Sequence, residues 1–375
     1  MLDVKHNHFM ASAIRLAERG LYTTMPNPRV GCVLVKDAQI VGQGWHQKAG
    51  EGHAEVNALA AAGELAKGAT AYVTLEPCNH HGKTPPCCDA LIAAGVSAVV
   101  VGMVDPNPLV AGKGIEKLRQ AGLDVIVGVL EAQAEGLNPG FNKRMRSGLP
   151  YVRCKMAMSL DGRTAMATGE SQWITGAAAR SDVQRLRARS CAIITGIGSV
   201  RQDDASLTVR EEELGLEPAE NRVASAKQPL RVLLDSNLSI KPNAKLLLGP
   251  NKTVIVGADF AVETANRLSS LAHVEVWQLP QSEGRIDLLA LLKKLAQQEC
   301  NEVLIEAGST LAAAALRANI IDELIIYMAP KLLGSTAKPL FELPIMSMAE
   351  GLPLTIADIR AVGDDWRITA IPKAK

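Results

Sequence analysis

LEPCNHHGKTPPCC, residues 75–88, holds three of the chain's seven cysteines and two of its seven histidines. So many thiol and imidazole groups in one loop indicate a metal site, because these are the ligands that zinc prefers in proteins. Two interpretations are open at this point. The loop could form a structural zinc knuckle, or it could be one half of a catalytic zinc site whose other half lies elsewhere in the chain.

The other half is found upstream, in GHAEV at residues 52–56. His53 and Glu55, followed by the Pro-Cys pair that ends in Cys78, match the H-x-E…P-C pattern of zinc deaminases. A catalytic zinc keeps one open position beside three protein ligands, and His53, Cys78 and Cys87 supply three. Because two thiolates neutralise the ion, a separate proton carrier is needed, and Glu55 is the candidate. His53 and Glu55 can meet at one site only in the first turn of a helix.

The spacing of the two cysteines departs from the short deaminase pattern, since eight residues separate Cys78 from Cys87. A structural site would need a fourth ligand, and Cys88, His80 or His81 could provide it. Two features favour catalysis. Glu55 has no role in a structural site, and LEPC ends a strand, where α/β proteins form their clefts. We therefore predict one catalytic zinc per chain and interpret Cys88, like the four remaining cysteines, as core packing.

Composition excludes several classes of function. The net charge of the 375 residues is +1 and aromatic residues make up 3%, which argues against nucleic acid as a partner. The longest apolar run free of charges, residues 90–104, is too short to span a membrane. The first twenty residues do not resemble a signal peptide, and an odd number of cysteines suits a reducing compartment. We expect a cytoplasmic protein.

Helical and strand-like patterns alternate along the whole chain, which predicts two α/β domains. The first covers residues 1–147 and should contain a mostly parallel sheet. Residues 138–150, rich in Gly, Pro and basic residues, break the pattern and are expected to link the domains. The second domain covers residues 148–375, and its polar stretch 211–228 should be a surface loop.

Eight motifs spread over nearly the whole chain carry a specific resemblance. They are PNPRVGCV (26–33), HAEV (53–56), LEPCNHHGKTPPC (75–87), DPNPLVAGKG (105–114), SLDGRTA (159–165), SQWIT (171–175), DDASLTVR (203–210) and IEAGSTL (305–311). The chain resembles the bifunctional deaminase–reductase family of riboflavin biosynthesis. In that family the long insert between the two cysteines is a hallmark.

The resemblance implies a fold and two reactions. A cytidine-deaminase-like α/β/α domain would use Zn²⁺ to hydrolyse the 2-amino group of a phosphorylated diaminopyrimidine. A dihydrofolate-reductase-like α/β domain would then use NADPH to reduce the ribosyl group of the product to a ribityl chain. It also implies a homo-oligomer, with a dimer through the reductase domain as the expected form, and no nucleic-acid or membrane partner.

The motifs also suggest substrate contacts in the deaminase domain. Asn27 and His46 would face the pyrimidine, and Asp105 and Asn107 would lie in a turn near the substrate. His80 and Lys83, inside the insert, are expected to bind the phosphate. Each has a simpler explanation: His46 as a packed residue, Asp105 and Asn107 as turn formers, and His80 and Lys83 as a solvated loop.

In the second domain no G-x-G-x-x-G motif is present, so a Rossmann site is not indicated. The turn before STLAA could hold a phosphate on the free N–H groups of a helix, or it could be an ordinary helix start. The resemblance places NADPH against Ala157, Trp173, Ser199, Asp203, Ser236, Gly308, Ser309, Thr310, Leu311, Ala312 and Ala313. It places the reductase substrate against Ser171, Arg187, Leu207, Arg210 and Glu306. Asp203 or Lys155 would be the proton donor.

Two other functions compete with this interpretation. The first is a deaminase of transfer RNA or single-stranded nucleic acid with an appended domain, which the neutral charge and sparse aromatic residues disfavour. The second makes the C-terminal half a dimerisation domain without catalysis. Binding of NADPH would distinguish that possibility from the bifunctional enzyme.

Overall fold

Short valine- and isoleucine-rich runs form the strands of this protein, and alanine- and leucine-rich runs form its helices. The computed structural model describes residues 4–79, 86–108 and 110–373. The chain divides into two compact units, Met1–Leu149 and Pro150–Lys375, which we call the N-terminal and C-terminal units.

The N-terminal unit is built on a five-stranded sheet with the order β2-β1-β3-β4-β5. Its strands are β1 (Gly31–Lys36), β2 (Gln39–Trp45), β3 (Thr70–Val73), β4 (Ala98–Val101) and β5 (Asp124–Val127). Its helices are α1 (Val4–Glu18), α2 (Ala54–Ala62), α3 (Cys87–Ala93), α4 (Lys113–Gln120), α5 (Glu131–Leu137) and α6 (Pro139–Ser147). The expectation of a mostly parallel sheet is wrong, because β1 pairs antiparallel with both β2 and β3, and only β3-β4-β5 are parallel.

Helix α2 packs unusually close to strand β2. A Cβ atom on Gly44 would lie 2.5 Å from the Ala58 nitrogen and 2.6 Å from the Ala54 oxygen, and one on Gly42 would lie 2.4 Å from the Ala58 oxygen. The contact needs glycine on the strand and small residues on the helix, because backbone approaches backbone. It fixes the position of α2, whose first turn carries Glu55.

The C-terminal unit contains a nine-stranded sheet with the order β11-β10-β9-β8-β14-β6-β15-β18-β17. The strands of this sheet are β6 (Tyr151–Ser159), β8 (Ala192–Gly196), β9 (Leu230–Leu234), β10 (Thr253–Gly257), β11 (Val274–Gln278), β14 (Glu302–Glu306), β15 (Glu323–Ala329), β17 (Leu354–Val362) and β18 (Asp365–Pro372). Two further pairs of short strands lie outside it: β7 (Arg163–Ala165) with β16 (Lys338–Pro339), and β12 (Gln281–Ser282) with β13 (Arg285–Ile286). The helices of the unit are α7 (Ala177–Ala188), α8 (Ile197–Asp203), α9 (Pro218–Ser225), α10 (Val262–Ser269), α11 (Leu288–Gln297) and α12 (Ser309–Arg317). From β11 to β15 the strands are parallel, and β17 and β18 add an antiparallel edge.

Two segments expected to be irregular are helical. Residues 138–150 contain helix α6, in which Pro139 takes a first-turn position that needs no N–H donor, and Gly148 ends the helix at φ 69°. Residues 211–228 contain α9, which begins at Pro218 and buries Ala224. Residues 138–150 do adjoin the boundary between the two units, but they continue the helical pattern instead of breaking it. The surface-loop prediction for residues 211–228 is wrong, because Pro218 marks a helix start.

We expect Gly44→Ala to destabilise the N-terminal unit by ~1–3 kcal/mol, because its new Cβ must push α2 away from β2. The matched control is Gly136→Ala, in the last turn of α5, where a Cβ would meet nothing within 4 Å. That change should be neutral or stabilising by up to ~1 kcal/mol. Differential scanning calorimetry would measure both variants. Equal melting temperatures for Gly44→Ala and the wild type would contradict the close contact.

Candidate active sites

Three ligands of the predicted zinc converge in the N-terminal unit. His53 is the residue before α2, Cys87 is the first residue of α3, and Cys78 follows the end of β3. The Nδ1 atom of His53 lies 3.2 Å from the Cys87 sulfur and 3.6 Å from the Cys78 sulfur, and all three ligand atoms lie within 4.8 Å of one another. Zn–S bonds of ~2.3 Å and Zn–N bonds of ~2.0 Å in a tetrahedron give N···S edges of ~3.5 Å. The residues therefore fit zinc both in chemistry and in spacing.

The backbone at the start of α3 prepares Cys78 to bind a cation. The Cys87 N–H donates to the Cys78 sulfur at 3.3 Å, and the Cys88 N–H donates to the Cys78 carbonyl at 3.2 Å. Hydrogen bonding from the Cys87 thiol, assisted by that N–H and by His53, lowers the pKa of Cys78 to about 4. The same thiol contact raises the pKa of Cys87. A thiolate is thus already favoured at Cys78 before any metal charge is added.

Glu55 lies in the first turn of α2, two residues after His53, and it is 3% exposed. This is the one helical location at which the two side chains can share a site. Burial raises the pKa of the Glu55 carboxyl to about 7, while the positive charge of His53 opposes that shift. The carboxyl group also contacts the Cys87 thiol through a hydrogen bond. Glu55 therefore lies beside the ligand cluster.

Asn27 and His46 lie next to the candidate zinc ligands. Asn27 Nδ2 donates to His46 Nε2 at 3.1 Å, and His46 Nδ1 donates to the Gly52 carbonyl at 3.2 Å. Burial lowers the pKa of His46, and these partners assign the neutral ring with its proton on Nδ1. The rings of His46 and His53 meet edge to face with centroids 5.4 Å apart. His46 thus lies against the cluster in a fixed orientation.

Glu76 is a residue that sequence reasoning missed. It is 3% exposed, and its carboxylate accepts four backbone N–H bonds: from Asp105 at 3.1 Å, Gly112 at 2.9 Å, Gly114 at 2.8 Å and Ile115 at 3.2 Å. It therefore ties the loop after β4 to the segment that carries Cys78. The available signal was a charged residue between Leu75 and Pro77, in a position where the strand pattern expects burial.

The other predicted deaminase residues divide into two groups. Asp105 is buried, and its Oδ1 accepts the Asn107 N–H at 2.8 Å, so this pair forms the expected turn after β4. His80 and Lys83 lie outside the described residues.

The C-terminal unit contains a cleft of about 1080 Å³. It opens at the carboxyl ends of parallel strands, where α/β sheets bind ligands. The predicted residues that line it are Lys155, Ala157, Ser171, Trp173, Arg187, Ser199, Asp203, Leu207, Arg210, Ser236, Glu306, Gly308, Ser309, Thr310 and Leu311. Ala312 and Ala313 do not line it, because they face the interior from α12 and are 0% and 1% exposed.

Arg187 and Glu306 form an ion pair inside the cleft. Arg187 Nε donates to Glu306 Oε1 at 2.6 Å, its Nη2 donates to Oε2 at 2.8 Å, and its Nη1 donates to the Thr208 carbonyl at 3.1 Å. Because three donors are engaged, Arg187 orients Glu306 and the loop of Thr208 rather than presenting an open guanidinium to a phosphate. Arg210, whose side chain is 43% exposed and pairs with Glu213, is the more accessible cation.

The two candidate proton donors both face this cleft. Lys155 on β6 is paired in register with Glu306 on β14, and burial lowers its pKa. Asp203, the last residue of α8, accepts a hydrogen bond from Ser171 at 3.1 Å. At the start of α12, the Gly308 N–H donates to Ser199 at 3.2 Å, which joins two predicted cofactor segments.

Comparisons with known proteins agree with this geometry. Residues 3–103 match the model of the cytidine and deoxycytidylate deaminase zinc-binding region, and residues 150–368 match that of the RibD C-terminal domain. The riboflavin biosynthesis protein RibD of Escherichia coli K12 is 51% identical over 96% of this chain and 98% of its own length. The solved structure of Acinetobacter baumannii RibD, form 2, is 48% identical with a TM-score of 0.88, covering 98% of this chain and 99% of that one. A Thermotoga maritima structure is 31% identical with a TM-score of 0.84, covering 98% and 99%.

The fold and the two sites define a bifunctional enzyme, in which a zinc-dependent deaminase is followed by a reductase. Both activities belong to riboflavin biosynthesis, and their cofactors are Zn²⁺ and NADPH. The chain belongs to the RibD family. The family, the two fold classes and the pair of activities expected from the sequence are confirmed. None of the helices in the described parts of the chain is long and apolar enough to cross a membrane.

The zinc assignment can be tested with two adjacent cysteines. Cys87→Ala should abolish zinc binding, because a thiolate ligand is lost. Cys88→Ala should retain one zinc per chain, because the Cys88 thiol faces the carbonyls of Pro77 and Gly114 at 3.3 and 3.5 Å. Elemental analysis by mass spectrometry would give the zinc content of each purified variant. Zinc retained in the first variant and lost in the second would assign the third ligand to Cys88 instead.

Proposed function

We propose that the N-terminal unit hydrolyses 2,5-diamino-6-(5-phosphoribosylamino)pyrimidin-4-one to the corresponding uracil with release of ammonia. We propose that the C-terminal unit then reduces the ribosyl group of this product to a ribityl chain. The observation that carries the proposal is the convergence of His53, Cys78 and Cys87 beside the buried carboxyl of Glu55. It is supported by the Thermotoga relative, whose name describes a diaminohydroxyphosphoribosylaminopyrimidine deaminase and 5-amino-6-(5-phosphoribosylamino)uracil reductase.

In the deamination, Glu55 carries the protons. A zinc ion held by the three ligands would acidify a water molecule and so supply a nucleophile at neutral pH. Glu55 accepts a proton from the attacking water and delivers it to the ring nitrogen next to the carbon under attack. It then passes the remaining proton to the departing amine, which leaves as ammonia. Burial raises the pKa of the Glu55 carboxyl toward neutrality, which suits a group that must both accept and donate protons.

The substrate contacts of the deaminase are proposed as follows. Asn27 binds the pyrimidine through its amide, and the neutral His46 faces the same ring from beside His53. Asp105 and Asn107 approach from the turn after β4, which Glu76 holds. His80 and Lys83, from the insert between the cysteines, bind the phosphate of the substrate.

In the reductase, the cleft accommodates the substrate and the cofactor side by side. NADPH supplies a hydride for C1′ of the ribosyl group, and one proton must reach the ring oxygen as the ring opens. Asp203 and Lys155 are the two candidates for this proton, and both line the cleft. The proposed substrate contacts are Ser171, Arg187, Leu207, Arg210 and Glu306. Those of NADPH are Ala157, Trp173, Ser199, Asp203, Ser236 and the helix start Gly308–Leu311. Ala312 and Ala313 are buried behind this turn and are not part of the proposed contact.

The role of Glu55 predicts a separation of the two activities. Glu55→Gln keeps the shape of the side chain and removes its ability to carry protons, so ammonia release should fall by at least ~10³-fold. Zinc content should stay at one per chain. Reduction of the deaminated intermediate, followed as NADPH absorbance, should be unchanged and serves as the folding control.

Two results would contradict this role. Ammonia release within tenfold of the wild type would remove Glu55 from proton transfer. Loss of zinc from the variant would make Glu55 a ligand or a structural support of the cluster.

We propose further that the protein forms a homodimer through strand β17 of the C-terminal unit. This strand is the last in its sheet, and it exposes Ile356 and Ile359 to 52% and 55%. An exposed apolar edge strand is a template for pairing with another strand. Antiparallel pairing about a twofold axis at Ile359 would place Asp358 opposite Arg360 of the second copy, and the reverse. In such a pair each Asp358 of one copy would face an Arg360 of the other, so opposite charges would meet on both sides of the axis.

Charge reversal tests the dimer. Asp358→Arg should shift the protein toward the monomer, because two arginines then face each other in each half of the interface. The double variant Asp358→Arg/Arg360→Asp restores the complementary pairs and should restore the dimer. Sedimentation velocity would measure the mass. A wild-type monomer, or a double variant no more dimeric than the single one, would contradict pairing through β17.

We propose a cytoplasmic location. It is supported by the odd number of cysteines, three of them clustered at the candidate metal site, which suits a reducing compartment.

A further inference from the structure

Glu342 occupies the start of helix α12 in the reductase cleft. It lies three residues after β16, on the segment that leads to β17. Ser309 Oγ donates to Glu342 Oε1 at 3.0 Å, and Thr310 Oγ1 donates to Oε2 at 2.8 Å. The Glu342 N–H also donates to the Ser309 carbonyl at 3.4 Å. Both carboxylate oxygens of one exposed residue are therefore bound to the first two residues of the helix.

This location is favourable for any anion. Helix α12 runs from Ser309 to Arg317, and Gly308 before it has no side chain to cap the first N–H groups. Unpaired N–H groups and the positive end of the helix dipole attract negative charge. In the proposed function, the same turn receives a phosphate group of NADPH. The Glu342 carboxylate and that phosphate would therefore bind at the same position in the cleft. This position is lined by Gly308, Ser309, Thr310 and Glu342 itself.

We propose that Glu342 sets the affinity of the reductase for NADPH by occupying, in the ligand-free protein, the hydroxyl donors that a cofactor phosphate takes on binding. This inference rests on the proposed placement of the cofactor at Gly308–Leu311. A hydroxyl group has one proton, so Ser309 and Thr310 cannot donate to the carboxylate and to a phosphate at the same time. Two anions at one helix start also repel each other.

The segment that carries Glu342 is anchored just before it. Lys338 in β16 pairs with Ala165 in β7, and the Leu340 N–H donates to the Gly162 carbonyl at 3.1 Å. Withdrawal of the carboxylate therefore requires a rotation of the Glu342 side chain or a small shift after Leu340. It does not require β16 to unpair. Binding of NADPH must therefore break the hydrogen bonds of Glu342 to Ser309 and Thr310, which weakens the net binding free energy. Removal of the carboxylate charge should remove this loss of binding free energy.

The test compares NADPH binding by wild type, Glu342→Gln and Glu342→Ala, measured by isothermal titration calorimetry on the full chain. Both variants should bind NADPH about 3- to 30-fold more tightly, the range expected for one charge at a helix start. The difference should shrink as salt concentration rises, because the repulsion is screened. The same contacts stabilise the start of α12 in the ligand-free protein, so the melting temperature of both variants should fall slightly while NADPH affinity rises.

The matched control is Glu350→Gln. Glu350 lies on the same segment, and its carboxylate accepts the Met346 N–H at 3.1 Å and the Ser347 hydroxyl at 2.8 Å. NADPH affinity should stay at the wild-type value in this variant. Equal gains in both variants would attribute the effect to loosening of the segment, and would overturn the proposal.

A parallel titration with NADH identifies the phosphate involved. If the pyrophosphate competes with Glu342, Glu342→Gln should improve NADH and NADPH binding equally. If the 2′-phosphate competes, only NADPH binding should improve. Unchanged or weaker binding of both cofactors by Glu342→Gln would overturn the proposal.

One further variant separates this idea from the placement of the cofactor. Ser309→Ala/Thr310→Ala removes the two hydroxyl donors and should weaken NADPH binding. If it leaves binding unchanged, the proposed placement of NADPH at α12 fails, and the role of Glu342 fails with it. If it weakens binding while Glu342→Gln has no effect, the placement stands and only the role of Glu342 is refuted.

Discussion

Four backbone N–H groups converge on the carboxylate of Glu76, and the deaminase site depends on this one buried ion. Burial of a carboxylate costs several kcal/mol unless its oxygens are paired. Each hydrogen bond to a charged group contributes ~1.5–3 kcal/mol, so four of them can offset that cost. Their donors are Asp105 and Gly112, on the loop between β4 and α4, and Gly114 and Ile115, in the first turn of α4. Since Cys78 follows Glu76 by two residues, a candidate zinc ligand and a proposed substrate loop are fixed by the same carboxylate.

The reductase cleft uses a comparable arrangement at the end of β14. The Glu306 carboxylate is held on both oxygens by Arg187, and Arg187 also holds the loop of Thr208 through its carbonyl. Lys155 lies on the neighbouring strand at the same register, and Glu306 opposes the lowering of its pKa that burial produces. In both units a paired carboxylate at or just after the end of a strand is hydrogen-bonded to residues of distant loops or to the residue that holds them. The catalytic geometry is therefore set by long-range contacts.

This dependence explains how much the sequence could reveal. The convergence of His53, Cys78 and Cys87 beside Glu55 was predictable, because zinc restricts its ligands to a few residue types and because a helix start brings His53 and Glu55 together. The helices and strands with clear periodicity were also predictable. The contacts of Glu76 and Glu342 were not, because their partners lie 29 to 39 and 32 to 33 residues away. Strand β17 was missed because it is exposed on both faces and lacks the alternation that marks a half-buried strand.

The eight residues between Cys78 and Cys87 raise the question of how a long insert can leave a zinc site intact. The answer lies in two hydrogen bonds at the start of α3. The Cys87 N–H binds the Cys78 sulfur, and the Cys88 N–H binds the Cys78 carbonyl, so the two ligand positions are joined through backbone regardless of the loop length between them. Closing a longer loop costs little, about 0.6 kcal/mol for each doubling of its length. The ligand pair can thus tolerate an insert, and the insert is free to acquire a function of its own, such as the phosphate contacts proposed for His80 and Lys83.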